Sequence, residues 1–335
     1  MEQLLKVSNL QTGFKNDREI QKVLHGIDLE VNKGEIVGLV GESGSGKSVT
    51  SLSIMQLLHG TPGKVLAGEI NYKGVDLLSL KESEMRKYRG KELSMIFQEP
   101  MTSLNPVVKI GKQLTEIIML HLKYSKKKAQ GHAISMLESV GIPRAKDIME
   151  SYPHELSGGM LQRVMIAMQI SCYPSLLIAD EPTTALDVTI QAQILNLLKE
   201  IQETSNMGVL FITHDLGVVS EICDRVIVMY AGRIVEELSV DRLFEDASHP
   251  YTKGLIKSIP IIGQNKKKLF SIPGTVPSPR NMPKGCKFAP RCEFAMDICW
   301  QKEPALLDSN YGKSRCWLEA EDKEEAYDSK YSYRS

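Results

Sequence analysis

The amino-acid sequence predicts an α/β fold with an antiparallel β subdomain, a helical subdomain and a small C-terminal cysteine-rich extension. Two observations lead to this fold class. Short apolar runs at 35–40, 176–179 and 209–213 are typical of strands buried in a parallel sheet, and the first leads through a glycine-rich segment into a helical pattern. After about residue 245, proline and glycine become frequent and regular periodicity fades, which predicts a separate appendage.

Length and composition are those of an ordinary folded protein. The chain has 335 residues, of which 42% are hydrophobic and 24% charged, enough for one large domain with an appendage. The net charge is zero, which argues against a nucleic-acid binder with a broad basic surface. The lysine clusters at 126–128 and 266–268 are more typical of solvated helix or linker faces than of binding patches.

The sequence predicts neither a membrane span nor a secretory signal. No run approaches the roughly 18–20 apolar residues that a transmembrane helix requires. Residues 1–6 lack the apolar stretch and the cleavage site of a signal peptide. We therefore expect the protein to remain in the cytosol and to meet a membrane only through a partner.

The remaining elements are predicted from local periodicity. Alternating residues at 3–10 and 21–31 predict strands of an antiparallel sheet, and the pattern at 225–235 predicts a hairpin that turns at Ala231-Gly232. Further elements are predicted in this order: a helix that runs from the glycine-rich segment to Leu58; a strand, a polar helix and a strand within 68–98; helices over 104–155; and a helix over 156–170.

The glycine-rich segment at 41–48 reads Gly-Glu-Ser-Gly-Ser-Gly-Lys-Ser, which is a P-loop between a strand and a helix. Its glycines let backbone N–H groups point at phosphate oxygens, the Lys47 ammonium reaches the β- and γ-phosphates, and the Ser48 hydroxyl can ligate Mg²⁺. The alternative, a glycine-rich turn with an incidental Lys-Ser pair, does not explain the order of strand, loop and helix. We therefore expect a P-loop NTPase core of the RecA-like type. The residues expected to bind ATP here are Ser43, Gly44, Ser45, Gly46, Lys47 and Ser48.

Two carboxylates end the apolar run at 176–181. Asp180 is expected to reach Mg²⁺ through water, and Glu181, one residue further along, to polarise the attacking water. Alone, these residues could equally be a surface acidic pair at a strand end. The P-loop upstream favours the catalytic interpretation.

A third motif, Leu-Ser-Gly-Gly-Met at 156–160, lies shortly before this strand. With the P-loop and the acidic pair, it makes residues 1–240 similar to the ATPases of ABC transporters. The resemblance implies roles for further residues. Phe14 stacks on adenine, and Gln98 senses the γ-phosphate, ligates Mg²⁺ and couples to the membrane subunit. Residues 185–187 form the D-loop, and His214 positions the γ-phosphate and water. Glu181, His214 and Gln98 are thus the expected catalytic residues.

Two of these residues have plainer alternatives, and one position departs from the family pattern. Phe14 would also fit a strand residue of the core, and His214 a structural polar residue. The family motif usually ends in Gln, where this chain has Met160. The resemblance links that Met to the oligopeptide/dipeptide branch.

The motif at 156–160 also implies a dimer. Ser157 is expected to cap a helix whose N-terminus carries partial positive charge, while Gly158 and Gly159 let a phosphate approach its N–H groups. In the architecture that the resemblance implies, these residues bind the ATP of a partner. Two ATPase units would then close head to tail around two ATP molecules.

Four of the six cysteines are clustered near the C-terminus, as Cys286-x5-Cys292-x6-Cys299-x16-Cys316. The spacing is neither that of a zinc ribbon nor a common ferredoxin pattern, and the thiols could bind a [4Fe–4S] cluster, bind zinc, or be free or structural. The sequence at 283–292 resembles the extension of peptide-transporter ATPases, which implies the iron–sulfur cluster. Cys172 and Cys223 fall on core-facing patterns and are expected to be buried.

Segments at 189–193, 249–252 and 276–279 also resemble the oligopeptide, dipeptide and nickel importer branch. We therefore expect an ABC ATPase domain over 1–245, with a helical subdomain at about 100–170, and a C-terminal extension over 246–335. The resemblance implies a peripheral protein on the cytoplasmic face of a bacterial-type membrane that energises peptide uptake. Its expected partners are a second ATPase, either paralogue or self, two transmembrane permeases and an extracytoplasmic solute-binding protein, with no nucleic acid.

Two other functions are compatible with parts of the sequence. Import of nickel or a metal chelate is the alternative within the family. A soluble ABC ATPase of translation or repair would need two tandem cassettes or a long coiled-coil insertion, and the sequence has neither.

Overall fold

The computed structural model describes residues 2–16, 19–98, 103–184, 186–259, 270–278, 281–309 and 311–319. Its strands are β1 (Gln3–Lys15), β2 (Ile20–Asn32), β3 (Ile36–Val40), β4 (Gly63–Tyr72), β5 (Val75–Asp76), β6 (Leu93–Ile96), β7 (Leu176–Asp180), β8 (Gly208–Thr213), β9 (Arg225–Tyr230), β10 (Arg233–Ser239), β11 (Leu307–Ser309) and β12 (Gly312–Ser314). Its helices are α1 (Lys47–Ile54), α2 (Glu82–Met85), α3 (Ile110–Leu122), α4 (Lys126–Ser139), α5 (Ala145–Ile148), α6 (Gly158–Ile170), α7 (Val188–Ser205), α8 (Leu216–Ile222), α9 (Val240–Asp246), α10 (Pro250–Lys257) and α11 (Asp297–Gln301).

The chain divides into two compact units, each assembled from separate segments. The first unit comprises Met1–Lys6, Glu30–Ile36 and Asn71–Ile212. The second unit comprises Val7–Leu29, Val37–Ile70 and Thr213–Ser335. The expected domain boundary near residue 245 stays a prediction.

In the first unit, strands β6, β7 and β8 form a parallel sheet. Every residue of these strands is buried, as their continuous apolar sequences predict for a sheet covered on both faces. The register pairs Asp180 with Ile212, so Asp180 is the last residue of β7. Its carboxylate therefore lies at the carboxyl edge of the sheet, where parallel sheets place their ligand sites.

The helical part of the first unit contains several short helices. Residues 104–155 are predicted to be helical, but α3 ends at Leu122 and is followed by Lys123 with a φ of 57°. Ser125 then starts α4, its Oγ accepting a hydrogen bond from the Lys128 N–H at 3.4 Å. Helix α4 packs against α3 and α6, which forms the helical layer that carries the 156–160 motif.

In the second unit, β3 and β9 pair in parallel, and β9, β10, β12 and β11 continue the sheet in antiparallel fashion. The predicted hairpin at 225–235 is confirmed, with Ala231 at φ 46° and Gly232 at φ 77° in its turn. Two successive residues with positive φ match the twist of a tight hairpin. A side chain at 232 would also meet the Val23 carbonyl oxygen at 1.9 Å.

Helix α1 is shorter than its apolar pattern predicts. It ends at Ile54, and Gln56 has a φ of 50°, which a continuing right-handed helix does not allow. The apolar residues that follow are still buried: Met55 and Leu58 are 3% and 6% exposed. The apolar pattern therefore predicted correctly which residues are buried, but it overestimated the length of the helix.

The C-terminal segment, by which we mean the described residues after 245, has a small core of its own within the second unit. Trp317 is 1% exposed and packs with Ala289 and Cys299. Its indole N–H donates a hydrogen bond to the Lys302 carbonyl oxygen at 3.0 Å. Strand β12 extends the sheet beside β10, with Ser314 opposite Glu236. Within the ranges that the structure describes, no helix is both long and apolar enough to span a membrane.

Candidate functional site

The P-loop connects β3 to α1 in the second unit, in the strand-loop-helix order that the sequence predicts. Gly44 has a φ of 80° and Gly46, directly before α1, a φ of 107°. A side chain at 46 would come within 2.7 Å of Met229 Cε, whereas one at 44 would meet nothing within 4 Å. Gly46 is thus required by packing and backbone, and Gly44 keeps the loop open to solvent.

Polar groups converge in this loop. Lys47 is buried, and its Nζ donates hydrogen bonds to the Gly41 and Glu42 carbonyl oxygens at 2.7 and 3.3 Å. The Ser45 hydroxyl is fully buried and has no hydrogen-bond partner among the described residues. An unsatisfied buried hydroxyl costs about 1–3 kcal/mol, which a phosphate oxygen in the loop would offset. Ser43, Gly44 and Ser48 are exposed, so the loop can receive a ligand from solvent. These residues fit the triphosphate of a nucleotide.

The carboxylates of the first unit are placed differently from each other. Asp180 is 5% exposed at the end of β7. Glu181 has a φ of 48°, in the left-handed region that a non-glycine residue occupies at a cost of about 1–3 kcal/mol. Its N–H donates to the Ile212 carbonyl oxygen at 2.9 Å, which holds the backbone in this conformation. Because of this turn, the Asp180 and Glu181 side chains do not follow the alternating directions of successive residues in a strand.

Gln98 and Glu181, both predicted to be catalytic, lie together in the first unit. Gln98 Nε2 donates a hydrogen bond to Glu181 Oε2 at 3.2 Å. Thr184 Oγ1 donates to the same oxygen at 3.0 Å, a contact that the sequence did not predict. These two donors orient the carboxylate, which can then accept a proton or polarise water through its remaining lone pairs.

The 156–160 motif forms the start of α6, as predicted. Ser157 Oγ accepts a hydrogen bond from the Met160 N–H at 3.4 Å. A side chain at Gly158 would meet no atom within 4 Å, while one at Gly159 would lie 3.0 Å from Ile190 Cγ2. The first glycine therefore leaves the helix N-terminus accessible, and the second lets α6 approach α7 closely.

Gln162 of α6, which the sequence analysis did not identify, links the 156–160 motif to the turn that contains Glu181. The Gln162 side chain is 1% exposed, and its Nε2 donates a hydrogen bond to the Pro182 carbonyl oxygen. Pro182 directly follows Glu181. A shift of α6 would therefore act on the backbone next to Glu181. The only sequence signal was a polar residue on an otherwise apolar helix face.

The other residues implied by the resemblance are positioned as follows. Phe14 is half-buried near the end of β1, where its ring edge limits the space at Gly63. His214 is exposed directly after β8. Asp187 accepts a hydrogen bond from the Ile190 N–H at 3.0 Å and caps α7, whereas Ala185 of the same segment lies outside the described residues. The roles of Phe14 and His214 stay predictions.

The four clustered cysteines line one small cavity in the second unit, together with residues such as His249, Phe288 and Trp317. Burial raises the pKa of Cys286 to about 11 and that of Cys316 to about 12, and it also raises the pKa of Cys292. Burial therefore favours the protonated form of these thiols at neutral pH in the metal-free chain. Cys172 and Cys223 are 4% and 9% exposed, which confirms that they are buried.

Glu42, the second residue of the P-loop, makes contacts that no motif predicts. Its carboxylate forms an ion pair with Arg291, and its N–H donates a hydrogen bond to the Tyr251 hydroxyl at 2.8 Å. Both partners belong to the C-terminal part of the second unit. The sequence gives no sign of this pairing because the ion-paired residues are 249 positions apart.

Comparison with known proteins agrees with this geometry. Residues 24–184 match the family model described as ABC transporter, and residues 235–299 match the model described as oligopeptide/dipeptide transporter, C-terminal region. The chain is 55% identical to the oligopeptide transport ATP-binding protein AppD of Bacillus subtilis, over 96% of this chain and 98% of that protein. It belongs to the ATPases of oligopeptide/dipeptide ABC transporters.

Further relatives and solved structures are similar to this ABC transporter ATPase. It is 49% identical to the oligopeptide transport ATP-binding protein OppD of Haemophilus influenzae, over 96% of this chain and 99% of that protein. Among solved structures, the ATP-binding cassette MJ0796, in a dimeric post-hydrolysis state with ADP and phosphate, has a TM-score of 0.63 and 28% identity, over 71% of this chain and 99% of that one. CbiO1 of Clostridium perfringens has a TM-score of 0.63 and 25% identity, over 73% and 92%.

Membership of this family has direct consequences. The cassette fold, an α/β structure with mixed and antiparallel sheets, is that of an ATPase whose hydrolysis is coupled to transport. The family implies ATP and Mg²⁺ as ligands, a dimeric ATPase and membrane permease partners.

The structure and the relatives do not support the predicted iron–sulfur cluster. Within the described parts of the chain, no group of three or more His, Cys, Asp or Glu side chains is arranged to hold a metal ion. The relatives are named as ATP-binding proteins, without mention of a cluster. The prediction that Cys286, Cys292, Cys299 and Cys316 ligate a cluster is therefore wrong, and no zinc site replaces it among those residues. They line a cavity beside the apolar core around Trp317.

Proposed function

We propose that this chain is the ATP-hydrolysing subunit of an oligopeptide importer, bound peripherally to the cytoplasmic face of the membrane. The observation that carries the proposal is the 55% identity to an oligopeptide transport ATP-binding protein over 96% of the chain. The match at 235–299 to the C-terminal region of oligopeptide/dipeptide transporters supports the same substrate class. Nickel import is not favoured, since the relatives considered above are named for oligopeptide transport.

The P-loop residues hold the triphosphate. The Lys47 ammonium, which now bonds two loop carbonyls, turns to the β- and γ-phosphates, and the Ser45 hydroxyl and the N–H groups of Ser43, Gly44 and Gly46 satisfy phosphate oxygens. Phe14 stacks on the adenine ring. Mg²⁺, when bound, would neutralise charge on the phosphates, and Ser48, Gln98 and Asp180 are the residues proposed to hold it, Asp180 through water.

Hydrolysis depends on the oriented carboxylate of Glu181. Gln98 and Thr184 hold one carboxylate oxygen by hydrogen bonds and so orient the group that accepts a proton from the attacking water. His214 positions the γ-phosphate and that water. Gln98, which shares a hydrogen bond with Glu181, is suited to report the state of this carboxylate to the membrane subunit.

The accessible N-terminus of α6 binds the ATP held by a second ATPase. Ser157 and Gly158 are exposed there, so a phosphate can reach the first N–H groups of the helix. The second ATPase is either another copy of this chain or a paralogue. The other partners are two transmembrane permeases and an extracytoplasmic solute-binding protein.

The test is uptake in cells that carry the wild-type chain, no chain, or Glu181→Gln as the only copy. Labelled penta- and tripeptides and labelled nickel are supplied separately. We expect peptide uptake to disappear without the chain and with Glu181→Gln, while nickel uptake is unchanged. Loss of nickel uptake with normal peptide uptake would contradict the proposal.

A further inference from the structure

The C-terminal segment holds the P-loop through one buried arginine. The Arg291 guanidinium donates to both carboxylate oxygens of Glu42, from Nη1 to Oε2 at 2.6 Å and from Nη2 to Oε1 at 3.0 Å. The Arg291 side chain is 4% exposed and that of Glu42 29%. A bidentate, charge-assisted pair of this kind fixes orientation as well as distance.

Arg291 is itself held firmly on the C-terminal side. Its Nε donates to the Pro273 carbonyl oxygen at 2.9 Å, and Nη2 donates to the Ile272 carbonyl oxygen at 3.3 Å. Nη1 also reaches the Tyr230 hydroxyl at 3.4 Å, and the guanidinium lies 5.9 Å from the centre of the Phe288 ring. Because these contacts define the arginine position without Glu42, the ion pair imposes a position on the P-loop residue.

A second contact holds the backbone of the same P-loop residue. The Glu42 N–H donates to the hydroxyl of Tyr251, a residue that is 0% exposed and packs 4.7 Å from Tyr230 and 5.4 Å from Phe288, between ring centres. Burial raises the pKa of the Tyr251 hydroxyl, which therefore stays neutral. Glu42 is thus held at both its side chain and its N–H, while its carbonyl oxygen accepts from Lys47 Nζ at 3.3 Å.

We propose that Arg291 and Tyr251 are positioning residues for nucleotide binding: by holding Glu42, they preset the P-loop to receive phosphate, so that the C-terminal segment sets the ATP affinity of the cassette. The inference rests on the proposed role of the P-loop. Lys47 contacts the Glu42 backbone directly, so a displaced Glu42 changes the starting position of the ammonium that must reach the phosphates. The effect falls on binding, because the group that is displaced is the ammonium that receives the phosphates and not the proposed catalytic carboxylate.

The experiment measures the Kd for a fluorescent ATP analogue on the full-length chain, together with KM, kcat and Tm. We expect Arg291→Gln to raise Kd and KM about tenfold, the size of a typical coupling between sites, with kcat at saturating ATP little changed. Arg291→Lys restores one hydrogen bond but not the bidentate pair, so it should recover only part of the affinity. Tyr251→Phe removes only the hydroxyl and should raise Kd in the same direction.

The matched control is Arg233→Gln. The Arg233 side chain forms a partly buried ion pair with Glu303, at 2.7 Å, and its bonds within the described residues do not involve the P-loop. We expect it to lower Tm without changing Kd. If Arg233→Gln weakens ATP binding as much as Arg291→Gln does, the effect is general destabilisation and the inference is overturned.

Lys47→Ala separates failure of this inference from failure of the proposed function. If Lys47→Ala weakens ATP binding while Arg291→Gln and Tyr251→Phe bind as the wild type does, only the positioning role is wrong. If Lys47→Ala binds ATP normally, the proposed role of the P-loop itself fails. Should Arg291→Gln not fold, Arg291→Lys and Tyr251→Phe decide the question, and wild-type Kd in both would overturn the inference.

Discussion

Glu181 is constrained at both its backbone and its side chain. Its backbone is left-handed, its N–H is bound by Ile212, and its carboxylate receives hydrogen bonds from Gln98 and Thr184. Strained backbone that is held by several contacts is a feature of functional sites, where it orients a reactive group. Here it orients a carboxylate that follows a buried aspartate at a sheet edge.

The residue-scale prediction is that Glu181→Gln keeps ATP binding and loses turnover. The amide can still meet Thr184, but it cannot accept a proton, and general-base catalysis is worth about 10²–10⁴-fold. We expect kcat to fall by about two orders of magnitude or more, with Kd for ATP within a factor of a few of the wild type. Steady-state hydrolysis and equilibrium binding measure the two quantities.

The matched control for this variant is Glu203→Gln, an equivalent change on the exposed face of α7. It should leave kcat, Kd and Tm unchanged. Near-normal hydrolysis by Glu181→Gln would remove the carboxylate from the mechanism. Loss of ATP binding would mean that the residue acts on the nucleotide rather than on water.

At the scale of elements, the N-cap of α10 is a histidine that cannot ionise without loss of stability. His249 is fully buried, and its Nδ1 accepts a hydrogen bond from the Tyr251 N–H at 3.1 Å, which caps the helix. Burial, and then the charge of Arg315, lower its pKa to about 3. Since the unfolded chain takes up a proton at about pH 6.5, folding becomes less favourable as the pH falls below that value.

The element-scale prediction follows from the direction of this shift. The stabilising effect of neutral His249 is complete above about pH 6.5 and is lost progressively as the pH falls toward 3, by up to about 1.4 kcal/mol per pH unit. His249→Asn keeps a side-chain acceptor at the cap without the titration. Urea unfolding between pH 7 and 4.5 should therefore show a shallower loss of stability for this variant than for the wild type.

A second histidine provides the internal comparison for this measurement. Burial lowers the pKa of His25 to about 4, so it also contributes to the loss of stability in acid. The variant should consequently retain part of the wild-type pH dependence. An unchanged slope in His249→Asn would show that His249 is not buried as a neutral residue in solution.

Element types were largely predictable from sequence, and their ends were not. The buried strands β3, β7 and β8 and the hairpin of β9 and β10 follow from continuous apolar runs and from a turn that needs positive φ. The breaks after α1 and α3 depend on single residues, Gln56 and Lys123, in left-handed conformation. Neither glutamine nor lysine favours the left-handed conformation, so the residue types do not signal these breaks.

The same division applies to the functional residues. Gly44, Gly46, Lys47 and Ser157 could be predicted because local geometry requires their residue types within a few positions of one another. The contacts of Gln162 with Pro182 and of Arg291 with Glu42 join distant segments, and no local pattern records them. The cysteine prediction, which the resemblance of 283–292 implied, was wrong because a local sequence resemblance does not show how thiols are arranged; here they share a cavity with apolar side chains.

At the scale of the whole molecule, the proposed mechanism requires a second ATPase. The accessible N-terminus of α6 binds the ATP that this second ATPase holds. Ser157 and Gly158 lie exposed where a phosphate can approach, and Gly158 has open space around it. A dimer that closes head to tail supplies two such helix ends to two P-loops, as a closed two-fold assembly requires. Hydrolysis should therefore rise more steeply than linearly with protein concentration.

The whole-molecule prediction uses two inactive variants that should restore each other. Ser157→Arg blocks the helix end and Lys47→Ala disables the P-loop, so neither homodimer has a working site. A mixed dimer combines the intact P-loop of the first variant with the intact helix end of the second. With equal mixing, half of the dimers are mixed and each has one site of two, so we expect about a quarter of the wild-type hydrolysis rate if the sites act independently.

Mixing either variant with a chain that carries both substitutions is the control, since no intact site can then form. Rescue in the first mixture and none in the controls would place the complementing residues on opposite subunits. Absence of rescue at every ratio, with both variants folded by Tm, would contradict a head-to-tail dimer of two copies of this chain. Hydrolysis in the control mixtures would instead mean that one of the two substitutions does not disable its site.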